Sequence, residues 1–189
     1  MPSLVGSEMC IRDRHGCVND ANSVKAALER NGDGTLNFNV KLMCATSEKS
    51  YISRNDLRDA VEELFKSETE ISVFYYSGHG SIDEIGGYLC TSEVSRPDEG
   101  LSLNDLMGFV AQSKAQNKVI ILDSCFSGKV GNLVEMPNYS VLHNGTTLLA
   151  ACGEKEYATE ENGHGVYTSL LVEALYGGCL LYTSPSPRD

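Results

Sequence analysis

Two residues of this chain stand where a nucleophile and its base would stand. Cys125 lies in VIILDSCFSG and His79 in ISVFYYSGHG. In each segment an apolar run with the pattern of a buried strand stops abruptly at small polar residues and glycine. A thiol is mostly protonated at neutral pH, and an imidazole beside it raises the fraction present as thiolate, the nucleophilic form. The same imidazole then hands the proton to a leaving amine. The main-chain N–H groups of Gly80 and Cys125 are candidates for holding the oxyanion of a tetrahedral intermediate, where each donor is worth roughly 3–4 kcal/mol. Together these groups point to acyl transfer. Singly, each residue has a plainer reading. A cysteine is more often a small buried hydrophobe, and an isolated histidine a satisfied structural residue. What favours chemistry is the pair of strand-ending motifs, both flanked by glycine.

If the two strands are neighbours in one sheet, His79 and Cys125 come to the same edge, and the order of the remaining elements shows what kind of sheet that would be. Helical spacing appears first in NDANSVKAALERNG, where Ala21, Val24, Ala27 and Leu28 share a face and Gly32 supplies the stop. Phe38 to Met43 alternates as a strand. SRNDLRDAVEELFKS follows, with Ser53 as N-cap and Leu57, Val61, Leu64 and Phe65 as the buried stripe. After the strand ISVFYYSG come a short strand or hairpin in GGYLCTSE and a helix in LNDLMGFVAQS. The strands NKVIILD and TTLLAAC precede an amphipathic helix in GVYTSLLVEALYGG. Strands alternating with helices predict an α/β fold with a mostly parallel sheet covered on both faces, three layers in all. Such sheets gather ligands at the carboxyl ends of their strands, which is where His79 and Cys125 fall.

The two ends of the chain are set aside. Residues 4–14, LVGSEMCIRDR, and 179–189, CLLYTSPSPRD, back-translate into complementary DNA strands, and both resemble a translated transposon-end sequencing adapter. Residues 1–14 and 179–189 are therefore expected to be non-native, leaving 15–178 as one domain. The chain has 26 acidic and 15 basic residues, a net charge of −11. An acidic surface argues against nucleic acid or an anionic membrane as the main partner and is compatible with a basic substrate, although plain solubility is the simpler account. Cys17, Cys44, Cys90, Cys125 and Cys152 contain no CxxC pair, which excludes a zinc ribbon or disulfide scaffold and predicts a reduced, cytoplasmic setting. No apolar run reaches membrane-spanning length.

YYSGHG and ILDSCFSG resemble the histidine and cysteine motifs of caspase-like cysteine peptidases, most closely the metacaspases of peptidase family C14. The 46 positions from His79 to Cys125 are close to the spacing of about 50 quoted for caspases. GCVND at 16–20 resembles the metacaspase segment between first strand and first helix, and GHGVYTSLLVEAL the start of the small-subunit portion. The resemblance implies a caspase-like fold and a cysteine endopeptidase in which Cys125 is the nucleophile and His79 the general base and acid. It also implies an incomplete domain, with the first strand lost to the N-terminal segment and the C-terminal part cut short.

The chain departs from true caspases in carrying DSCFSG where they carry QACRG. In metacaspases the aspartate two before the cysteine and the one in GCxND line an acidic pocket for Arg or Lys. Carried across, these are Asp123 and Asp20, with Cys17 and Ser77 as lesser walls. Two carboxylates in a partly desolvated pocket suit a guanidinium. Plainer roles stand beside these: a helix N-terminal charge for Asp20, and orientation of the cysteine loop for Asp123. The substrate implied is a polypeptide cut after a basic residue. Self-processing would use Lys129 or Lys155.

No cofactor is needed for the chemistry, and the resemblance implies calcium as an activator, with Asp98 and Glu99, or Asp83 and Glu84, as weak candidates. NGDGTLNF does not make an EF-hand, because Phe38 stands where glycine is required. GHGSID lacks the third glycine of a dinucleotide loop. DSCFSGK lacks the arginine of a phosphate-cradling cysteine loop. His143 and His164 have no ligand-spaced partners, so metal hydrolysis is unsupported. The rival of a different class is a caspase-fold interaction module without catalysis, or an inactive fragment of such a peptidase.

Overall fold

The computed structural model describes residues 2–7, 16–45, 51–82, 86–92, 100–124, 144–151, 160–161 and 163–177. Its centre is a five-stranded parallel sheet. The strands are β1 (Pro2–Ser7), β2 (Asn39–Cys44), β3 (Ile71–Gly78), β7 (Asn117–Ser124) and β8 (Thr146–Ala150), in the spatial order β2-β1-β3-β7-β8. Because all five run the same way, every carboxyl end reaches one edge. Among the described residues no helix is long and apolar enough to cross a membrane.

One face of the sheet is covered by α1 (Gly16–Glu29) and α4 (Val166–Leu175), the other by α2 (Arg54–Lys66) and α3 (Leu103–Gln112). This is the expected three-layer arrangement. Side chains alternate across a strand, so Phe74, Tyr76, Ile120 and Leu122 enter the core beneath α2 and α3, while Val73, Tyr75 and Ile121 enter the one beneath α1 and α4. Helix α2 begins at the expected cap: Asp56 N–H donates to Ser53 Oγ at 3.1 Å, and Ser53 N–H donates back to the Asp56 carboxylate at 3.1 Å. The hairpin expected near GGYLC is a three-stranded antiparallel sheet of β4 (Gly80–Ile82), β5 (Gly87–Leu89) and β6 (Leu101–Ser102). Ser102 caps α3 through the N–H groups of Asn104 and Asp105.

Pro2–Ser7, part of the N-terminal segment set aside above, takes the position of a first strand between β2 and β3, with Val5 opposite both Leu42 and Tyr75. Parallel pairing is made by main-chain groups, so a short extended segment such as PSLVGS can supply the strand. Helix α1 begins at Gly16, ahead of the expected start in NDANSV, which puts Asp20 in its second turn rather than at its N-terminus. Helix α4 is only shallowly amphipathic. Thr168 is its buried residue, Tyr167, Leu171 and Val172 pack partly against the core, and Leu170 and Leu175 are exposed.

Candidate active site

The strands that carry the two reactive motifs are neighbours. β3 and β7 pair in parallel over their full lengths, ending with Ser77 opposite Asp123 and Gly78 opposite Ser124. Each strand is then followed by one member of the expected dyad, His79 after Gly78 and Cys125 after Ser124. Cys125 itself lies outside the described residues, as do Asp83, Glu84, Asp98, Glu99, Lys129, His143, Cys152 and Lys155. Among the described residues no three His, Cys, Asp or Glu side chains gather as they would for a metal ion.

His79 is half-buried, and its main chain is pinned. Its carbonyl accepts from Cys90 N–H at 2.9 Å and from the Tyr76 hydroxyl at 2.9 Å, while the same hydroxyl lies 2.7 Å from the Cys90 carbonyl. Tyr76 is thus an apolar body in the core beneath α2 and α3 with its polar tip holding the turn after β3. The Cys90 to His79 bond also sets the ladder: Gly80 and Leu89 form a non-hydrogen-bonded pair. In such a pair the N–H groups point away from the partner strand. The Gly80 N–H is therefore not spent on β5.

On the α1 side of the same edge, four polar residues are buried to 1 % exposure: Asp20, Ser77, Asp123 and Thr168. Cys17, one turn before Asp20 on α1, is equally buried. They are gathered by the small hairpin of β9 (Glu160–Glu161) and β10 (His164–Gly165), which turns at Gly163 with φ of 77° and leads into α4. The GCVND segment holds this hairpin. Asn19 Nδ2 donates to the Gly163 carbonyl at 3.1 Å. Gly165 N–H donates to both Asp20 oxygens, at 3.2 and 3.0 Å, and His164 Nδ1 lies 3.0 Å from Asp20 Oδ1. Ser77 Oγ donates to Asp20 Oδ2 at 3.2 Å.

Asp20 is thus surrounded by donors, yet its pKa is raised above the ordinary carboxylate value. Burial is the main cause and the Asp123 charge adds to it, while the Gly165 amide and His164 oppose the rise. Asp123 is held differently. Thr168 Oγ1 donates to its Oδ2 at 2.5 Å, and Oδ1, equally buried, has no hydrogen-bond partner among the described residues. The Thr168 hydroxyl in turn lies 2.6 Å from the Tyr75 hydroxyl. Gly165 is tightly confined between the acids: a Cβ there would fall 2.3 Å from Asp123 Oδ2 and 3.1 Å from Asp20 Oδ2.

The structure therefore brings Asp20, Ser77 and Asp123 together, with Cys17 one turn earlier on α1, and places His79 and Gly80 at the same edge. It also adds partners that spacing did not reveal. His164, dismissed for want of a ligand-spaced neighbour, pairs with Asp20 across 144 positions of chain. Gly165, Thr168 and Tyr75 complete the cluster. Gly165 and Thr168 have one sequence signal, the resemblance of GHGVYT to the start of a small-subunit portion, and Tyr75 opens the histidine motif YYSGHG.

Comparison with solved structures finds a crystal structure of protein GSU0716 from Geobacter sulfurreducens. It has a TM-score of 0.68 at 19 % identity, covering 93 % of this chain and 81 % of that one. At that identity the match speaks for the fold. No curated protein matches the chain. A family model, the caspase domain of peptidase family C14, matches residues 7–183. With that match spanning the sheet edge and the acid cluster alike, the chain belongs to the caspase-domain family of C14 cysteine peptidases.

Proposed function

We propose that the chain is a metacaspase-type cysteine endopeptidase that cleaves polypeptides after Arg or Lys. Cys125 attacks the scissile carbonyl as thiolate, and His79 takes the thiol proton and returns it to the departing amine. The N–H groups of Gly80 and Cys125 hold the oxyanion. The register of β3 and β7 supports the dyad, since the residues following the last paired positions are the base and the nucleophile. The orientation of the Gly80 N–H away from β5 supports its role as donor.

The observation that carries the specificity is the buried pair of carboxylates, Asp20 and Asp123, gathered about Gly165 beside that edge. A basic side chain entering here meets a negative field inside a low-dielectric wall, where Coulomb attraction is stronger than in water. Ser77 and Cys17 line the same corner. Calcium enters this reading only as an activator, with Asp98 and Glu99 as its candidate ligands, and no step of the chemistry is routed through it.

A fluorogenic peptide panel with Arg, Lys or Asp before the scissile bond, with and without calcium, tests this reading. The expected result is turnover of the Arg and Lys peptides only, reduced about 10³-fold or more by Cys125→Ala and by His79→Ala. Turnover unaffected by Cys125→Ala would defeat the dyad. Absence of turnover from wild type and variant alike would favour the interaction module.

A further inference from the structure

The two acids of the cluster are not equivalent. Each oxygen of Asp20 is taken up by donors of the fold, from Gly165, His164 and Ser77. Asp123 has one oxygen held and one without a partner among the described residues. A buried carboxylate oxygen left without a donor costs about 1–3 kcal/mol or more. Such a group in a native structure calls for an explanation, and a donor arriving with a ligand is one that fits an acid beside the reactive edge.

The bonds behind Asp123 run in one direction. A carboxylate accepts and does not donate, so the Thr168 hydroxyl must give its single proton to Asp123 Oδ2. Thr168 Oγ1 is then left to accept, and the Tyr75 hydroxyl donates to it. Burial, aided by the charges of Asp20 and Asp123, raises the Tyr75 phenol well above its ordinary pKa, so the phenol keeps its proton. Three elements, β3, α4 and β7, meet in this chain of hydroxyls. Tyr75 is fully buried and Thr168 nearly so, which leaves neither hydroxyl to water. Aligned donors of this kind polarise one another and hold the last acceptor in place.

We propose that Thr168, backed by Tyr75, is a positioning residue for substrate specificity: it occupies Oδ2 of Asp123 and presents Oδ1 to the basic side chain of the substrate. Asp20 on this view fixes the hairpin and supplies field, while Asp123 makes the direct contact. The inference rests on the acidic-pocket reading above and assigns the parts within it.

Steady-state kinetics of the 189-residue chain on Arg and Lys peptides separates the two. Thr168→Val removes the hydroxyl at nearly constant volume. It should raise KM for both peptides about 10-fold, the scale of one hydrogen bond to a charged group, with kcat within about twofold. Thr168→Ser keeps the hydroxyl and should restore KM. Tyr75→Phe should raise KM about threefold, and Asp123→Asn about 100-fold. An unchanged KM in Thr168→Val, with Asp123→Asn impaired, overturns the inference and leaves the pocket standing. An unchanged KM in Asp123→Asn overturns the pocket itself. A fall in kcat and thermal stability that Thr168→Ser fails to rescue would make Thr168 merely structural. Should Thr168→Val not fold, Tyr75→Phe decides, and an unchanged KM there rejects the chain.

Discussion

Beneath α2 and α3 the described residues place sixteen buried apolar side chains in one cluster, from Ala45 and Ile52 through Phe74 and Tyr76 to Leu122. Beneath α1 and α4 there are seven, and the edge of that layer is taken by Asp20, Ser77, Asp123 and Thr168. The same two strands build both sides. Along β3, position 74 or 76 enters the larger core, whereas 75 and 77 bring a phenol and a hydroxyl to the polar corner. Along β7, Ile120 and Leu122 contrast with Asp123 in the same way. Burying acids is costly unless donors meet them. The difference between the faces therefore teaches where stability is generated and where it is given up: the apolar face holds the strands in register so that the polar one can present carboxylates without collapsing.

The largest expected effect comes from weakening the supporting face. Phe74→Ala removes a fully buried ring from the larger core and should lower unfolding free energy by about 3–5 kcal/mol, measured by denaturant titration. If the comparison holds, the folded fraction keeps its ratio of kcat/KM on Arg and Asp peptides, because that ring lies in the cluster on the opposite face of the sheet from the polar corner. A changed ratio would show that the two faces are not separable.

Next in size is Gly165→Ala, directed at the polar face. The added methyl would lie 2.3 Å from Asp123 Oδ2 and must displace either the carboxylate or the hairpin that carries His164. Overpacking of this kind costs about 1–3 kcal/mol. Activity on basic peptides should fall by more than the stability loss explains, since either displacement disturbs the acids of the pocket. Equal loss on basic and acidic peptides would mean that Gly165 acts only on folding.

Local signals made the strands, the helices and the Ser53 cap legible, because each is written within a few residues: alternation in β3 and β7, a stripe of Leu57, Val61, Leu64 and Phe65 in α2. That β3 and β7 each end in a reactive motif was legible, whereas their pairing entered the sequence reading only as a condition and is set by the structure. The meeting of Asp20 with His164 and Gly165 was not legible. Those contacts span 144 and 145 positions, and nothing near Asp20 announces them. Spacing rules for metal ligands made His164 look idle, although its partner is a carboxylate on helix α1. The reading of Asp20 as a helix-end charge failed for a local reason: α1 starts at Gly16, so the acid lies inside the helix and faces the sheet. PSLVGS carries little side-chain signal for its place as β1, because backbone pairing asks little of side chains.

The smallest effect expected is also the one most specific to the polar face. Burial raises the pKa of Asp20 above its ordinary value of 3.8. The native state therefore holds that proton more tightly than the unfolded chain does. Stability from this group is present at acid pH and is lost as pH rises from about the ordinary value through the raised one. That sign is opposite to that of a carboxylate such as Asp56, whose bonds to Ser53 lower its pKa. Asp20→Asn abolishes the titration. The difference in unfolding free energy, variant minus wild type, should increase with pH across that window by about 1.4 kcal/mol for each unit by which the pKa is raised, and then level off. Urea titrations at intervals between pH 4 and pH 7 read the slope. A difference that stays flat, whatever its offset from lost hydrogen bonds, would show that the donors around Asp20 fully offset its burial, and the contrast with the apolar face would then rest on Asp123 alone.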